Sequence, residues 1–110
     1  MTVQKVRRNY STLIRFVERK TRRKIKVKPK LRFHGRGRVG SVTLYENGKS
    51  TISVSRKVAK TRPELAKSII VHELGETVLR SHAKAQELQR QYLKSRETSY
   101  RKEAGRYRRF

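Results

Sequence analysis

The chain has 110 residues, room for one small domain, and its 31 Lys and Arg against 8 acidic residues give a formal charge of +23 at pH 7. Every acid is Glu and there is no Cys, which excludes a disulfide framework, a thiolate zinc site and a Cys nucleophile. Hydrophobic residues at 34% and aromatics at 7% leave material for a small core only. No apolar run approaches the roughly 20 residues that span a bilayer, and no h-region follows the N-terminus. The chain reads as soluble and cytoplasmic.

Charge of this density makes a polyanion the expected partner, because each neutralised phosphate releases a counterion and adds affinity. A membrane surface would require a basic amphipathic helix with Trp or Phe on its apolar face, and the apolar residues of the N-terminal segment are better used in a core. The cations are spread over the whole chain instead of one face. That distribution suits a protein contacted by folded RNA from several sides, with no self-association expected.

In chain order, Thr2 to about Lys24 reads as one amphipathic helix: Val3, Val6, Tyr10, Leu13, Ile14 and Val17 recur at helical spacing opposite Lys5, Arg7, Arg8, Arg15 and Arg19. Then Ile25, Val27, Pro29, Leu31 and Phe33 alternate with Lys24, Lys26, Lys28, Lys30, Arg32 and His34. Period-two alternation predicts a half-buried strand whose outer face is a cationic ladder for phosphate. Pro29 puts it at a sheet edge or interrupts it. The segment Phe33-His34-Gly35-Arg36-Gly37-Arg38-Val39-Gly40 reads as an Arg-Gly loop, its glycines allowing close backbone approach and Arg36 and Arg38 offering planar forks.

A β-hairpin follows, Val42 and Leu44 on one arm, Ile52 and Val54 on the other, turning at Asn47-Gly48. A three-residue loop, which sets Leu44 opposite Ser50 and Val42 opposite Ile52, is preferred because it gathers the apolar residues on one face. Thr61-Arg62-Pro63-Glu64 has the form of a capping box and opens a helix to about Leu79. A further helix covers roughly Ser81 to Ser95. The remainder, Arg96 to Phe110, carries Arg101, Lys102, Arg106, Arg108 and Arg109 among Tyr100, Tyr107 and Phe110, and reads as a basic aromatic tail that orders on RNA.

The fold class expected is α+β: an N-terminal helix, a three-stranded antiparallel sheet including the hairpin, two C-terminal helices and a basic tail. Residues 1–95 form a single RNA-binding domain and 96–110 an extension.

One motif carries chemistry. In Ile69-Ile70-Val71-His72-Glu73-Leu74-Gly75-Glu76, a helical turn of about 100° per residue puts His72 and Glu76 in one sector with Leu65, Ile69 and Leu79. Ile70, Val71, Leu74 and Val78 form a second apolar sector, so the helix is buried, and Glu76 requires a cation, a metal or a proton. A hydrogen-bonded pair with His72 and a metal site both meet that requirement.

Helix, strand, hairpin and a helix bearing His-Glu-x-x resemble the minimal zincin metallopeptidases, the minigluzincins, over roughly Val3 to Leu93. The resemblance implies His72 as first zinc ligand and Glu73 as general base. Glu76 stands where that family has its second His, and Glu can also ligate zinc. The third ligand is either His82, which reaches the site only if the helix breaks near Arg80-Ser81, or Glu87 on the next helix.

Composition over the whole chain resembles ribosomal proteins, particularly those of archaea. The function expected is therefore a structural ribosomal protein without a required cofactor, its partners rRNA and neighbouring ribosomal proteins. Phosphates would be held by Lys24, Lys26, Lys28, Lys30, Arg32, Arg36, Arg38, Arg101, Lys102, Arg106, Arg108 and Arg109. A zincin-like zinc peptidase or its inactive relic, and a DNA-binding chromatin or plasmid protein, are the alternatives.

Overall fold

The computed structural model describes residues 3–35, 42–46 and 49–106, and their side chains apart from 42–46, 49 and 104–106. Its elements are α1 (Gln4–Arg8), α2 (Tyr10–Thr21), β1 (Lys30–His34), β2 (Val42–Glu46), β3 (Lys49–Ser55), α3 (Arg56–Thr61), α4 (Pro63–Leu79), α5 (His82–Ser95) and α6 (Glu97–Arg106). The expected single N-terminal helix is two. Asn9 interrupts it, its side-chain amide donating to Lys5 O at 2.7 Å, the local backbone competition that makes Asn a poor interior helix residue. Arg22 ends α2 in the left-handed region at φ 56°.

The sheet corrects the antiparallel expectation. β3 lies between the other two strands; β1 pairs with it in parallel, Leu31 opposite Ile52 and Phe33 opposite Val54, while β2 pairs with it antiparallel. Nothing local in β1 encodes the direction of its partner, since either direction supports the same alternation. β1 is also shorter than the predicted strand. Residues 25–29 are outside regular structure, and the strand starts directly after Pro29, on an edge. The β2–β3 register is the one not preferred from sequence: Leu44 faces Thr51 and Glu46 faces Lys49. That leaves the two-residue connection Asn-Gly favours, with 47–48 themselves outside the described residues.

Two further expectations fail at the C-terminal half. The capping box does not form, because Thr61 belongs to α3 and its hydroxyl donates to Lys57 O. And Glu97–Arg106, expected as the start of a tail, is helical. A single contact replaces the first and anchors the second. The buried Glu103 carboxylate accepts the Glu64 N–H at 2.8 Å and the Leu65 N–H at 3.1 Å, so α6 supplies from outside the cap that α4 lacks. The third C-terminal helix is thereby tied to the first.

α4 is the central element. Ala66, Ile70, Val71 and Leu74 are fully buried, and the helix packs on α2, α3, β3 and α5. Leu13, Ile14, Phe16 and Val17 of α2 join Ile52 and Val54 of β3 and Leu31 of β1 in the same core. Gly75 sets the α4–α5 spacing: a Cβ there would stand 3.1 Å from Leu88 Cδ2 and 3.3 Å from Ala85 Cα. Among the described residues no helix is long and apolar enough to cross a membrane.

Candidate metal centre

His72 and Glu76 are one turn apart on α4, so their side chains emerge side by side. His72 Nε2 lies 3.0 Å from Glu76 Oε1, and the ring is well buried, 12% exposed at the side chain. The third member arrives through a chain reversal. α4 stops at Leu79, Arg80 takes the left-handed conformation (φ 52°, ψ 37°), Ser81 is extended, and α5 begins at His82. The Ser81 hydroxyl accepts the Lys84 N–H and so starts α5 there. This break brings His82 Nδ1 to 2.6 Å from the same Glu76 oxygen and its ring centroid to 4.8 Å from that of His72.

The donor atoms of His72, Glu76 and His82 thus all fall within 4.8 Å of one another. Glu87, the other candidate ligand, pairs with Arg90 at 3.2 Å on the exposed side of α5 and is not in the cluster. The hydrogen bond from His82, opposed by desolvation and joined by the bond from His72, holds the Glu76 carboxyl below the usual carboxylate range. His72 Nδ1 is buried with no hydrogen-bond partner among the described residues. Because a carboxylate oxygen accepts, the His72–Glu76 bond is one that Nε2–H donates.

Two imidazole nitrogens and a carboxylate oxygen are a good donor set for zinc, with room for a fourth ligand on the solvent side. The cluster opens into a depression of about 570 Å³ lined by Glu76, Thr77, Arg80, Ser81 and His82. The residues therefore fit a divalent ion. Were His72 Nε2 to hold a metal, its ring proton would sit on Nδ1, where no acceptor lies among the described residues; such outer acceptors commonly contribute about 10–100-fold in affinity.

The predicted phosphate contacts are distributed unevenly. Lys24, Lys26, Lys28, Lys30 and Arg32 are all exposed, but only Lys30 and Arg32 stand on a strand. Arg101 is exposed and pairs with Glu97 at 2.6 Å. Lys102 is exposed and Arg106 ends α6. Arg36, Arg38, Arg108 and Arg109 lie outside the described residues.

Sequence reasoning placed a break near Arg80 but missed that Arg80 lines the depression, and it missed Lys67, buried on α4. The latter had a signal: a lone Lys inside the apolar run Leu65 to Val71. No family model, no curated protein and no solved structure matches the chain.

Proposed function

We propose that the protein is a small metal-dependent hydrolase of zincin type, with His72, Glu76 and His82 as the ligands of a zinc ion. The observation that carries the reading is the convergence of these three donors across the α4–α5 break. The minigluzincin resemblance implies two His from the helix and a Glu from beyond it. Here the helix offers one His and a Glu, and the His comes from the next helix. The donor set and its charge are conserved while two positions are exchanged, which is why the altered motif need not be a dead one.

A zinc ion held there supplies Lewis acidity and acidifies a bound water. The chain's own residues do the rest. Glu73, next to His72 on α4, provides a carboxylate to take a proton, in the role the resemblance gives it. Glu76 spreads its charge over two imidazoles and keeps both oriented. Arg80, on the wall of the depression, favours substrates with negative charge near the bond to be cleaved.

The test is metal analysis and calorimetric zinc titration of the full chain, followed by assay on acidic peptides. One zinc per chain, lost in His72→Ala and His82→Ala, and hydrolysis lost in Glu73→Gln with zinc retained, are expected. A folded protein that takes up no zinc overturns the reading.

A second reading has its own observation. Lys24, Lys26, Lys28, Lys30 and Arg32 are exposed within nine consecutive residues and have no ion-pair partner among the described residues. They support binding to a nucleic acid backbone, with rRNA in a ribosome as the form expected from composition. Co-sedimentation with one ribosomal subunit that survives high salt supports it; release at modest salt counts against it.

A further inference from the structure

Away from the metal cluster, a second cavity of about 410 Å³ opens between α2, the first turns of α4 and the end of α5. Its wall holds four cations, Arg15 and Arg19 of α2, Lys67 of α4 and Arg96 after α5, and also the hydroxyl-bearing Thr12 and Ser95. Lys67 is the unusual one. Its side chain is 4% exposed, and its only polar partner among the described residues is Glu64 Oε1 at 3.4 Å. That carboxylate is already engaged by Arg96, through Nε to Oε2 at 3.2 Å and Nη2 to Oε1 at 3.1 Å. Burial works to raise the Glu64 acid, but the hydrogen bond from Arg96 and the charges of Lys67 and Arg96 outweigh it, so Glu64 stays ionised.

The balance of the cavity is positive. One carboxylate serves Lys67 and Arg96, while Arg15 and Arg19 have no acidic partner among the described residues. An ammonium has three donors, and burying one with a single long contact is costly unless something else accepts from it. The geometry points to that acceptor: we infer that this cavity is a phosphate site, seating a backbone phosphate of a bound polynucleotide between Lys67 inside and Arg15, Arg19 and Arg96 at the rim.

Continuity favours a polymer over a free anion. Arg15 and Arg19 are about 6 Å apart along the helix, and the exposed cations continue without a break in kind through Arg22, Arg23 and Lys24 to Lys26, Lys28 and Lys30. Aromatic rings do not stack on bases here, since Phe16 and Tyr92 are buried and packed edge to face on each other. The contact is electrostatic and sequence-independent. This inference rests on the nucleic-acid reading above.

The experiment compares the full chain with Lys67→Met, Lys26→Met and Arg15→Ala/Arg19→Ala on a single-stranded RNA oligonucleotide across salt concentrations. The Arg double variant alters only exposed residues and keeps the test open if Lys67→Met folds poorly. In parallel, inorganic phosphate is titrated while the arginine Nε–H signals are followed by NMR. Lys67→Met is expected to lose about tenfold in affinity, Lys26→Met about twofold, and the Arg double variant about 1.4 units of salt slope. Phosphate should shift Arg15, Arg19 and Arg96 saturably in the native chain and not in Lys67→Met.

Equal losses for Lys67→Met and Lys26→Met, with phosphate shifts that never saturate, overturn the site while leaving nucleic-acid binding intact. Saturable phosphate without any effect of the cavity variants on RNA overturns the polynucleotide assignment in favour of a small phosphate ligand. Absence of salt-dependent RNA binding by the native chain is a failure of the underlying reading itself.

Discussion

Glu76 and Glu103 are the two carboxylates whose surroundings act in opposite senses. Hydrogen bonding from His82 and His72 depresses Glu76, so its contribution to stability is present above the ordinary Glu range and is lost as pH falls through its lowered value. Burial raises Glu103, against the two backbone N–H groups it accepts. Its contribution is full below the ordinary range and declines as pH rises through the raised value. Urea unfolding of the chelator-treated protein from about pH 3 to pH 7 checks both signs. The stability gap between native and Glu76→Gln should close on acidification, and the gap to Glu103→Gln should close toward neutrality. A Glu103→Gln gap that widens toward neutrality would show that the α4 N-terminus and Arg62, 3.9 Å away, outweigh burial.

At the scale of elements, the approach of His82 to His72 and Glu76 depends on where α5 sits, and Gly75 sets that spacing. The space a Cβ would need is closed by a backbone atom of α5 at 3.3 Å as well as by Leu88. Gly75→Val therefore drives the helices apart at a cost of about 1–3 kcal/mol, although Val is the better helix former. Zinc affinity should fall by more than the stability loss alone produces, because His82 is carried on the displaced helix while His72 and Glu76 are not. Calorimetric titration beside thermal unfolding separates the two effects; unchanged zinc affinity would mean that the Arg80 turn, and not helix packing, positions His82. The N-terminus of α4 is completed by Glu103 of another element, while its C-terminus is closed by its own cap Arg80, whose turn carries His82 back to Glu76.

For the whole molecule, the +23 charge and the cluster of His72, Glu76 and His82 are compatible. The acids that remain are mostly committed: Glu64 to Lys67 and Arg96, Glu103 to the α4 N-terminus, Glu76 to two imidazoles, and Glu87 and Glu97 to neighbours on their own helices. The exposed cations of residues 24–32 have no such partners among the described residues and are available to an external polyanion. Replacing Lys26, Lys28 and Lys30 with Ala should reduce the salt slope of duplex binding by up to about three units and leave zinc stoichiometry unchanged. A slope that stays the same would place the phosphate contacts elsewhere, with the α2 cations the next candidates.

Much of the local structure was legible without coordinates: the buried helix around His72, the break that His82 requires, the apolar positions of α2. These follow from periodicity and from residues that stop or cap helices, which act over a few neighbours. Of the strand expected over residues 24–34, only Lys30 to His34 forms. Charge, the absence of Cys and the shared sector of His72 and Glu76 were also sequence properties. Tertiary structure alone decided what depends on distant partners. Parallel pairing places β1 against β3 rather than β2, and no residue in β1 encodes it. α6 is helical because Glu103 finds the open N-terminus of α4, 39 residues earlier. That His82, and not Glu87, meets His72 and Glu76 turns on an Arg in a left-handed conformation, and the buried Lys67 shares a carboxylate with Arg96. In each case the deciding free energy is a contact between residues far apart in the chain, which local pattern does not report.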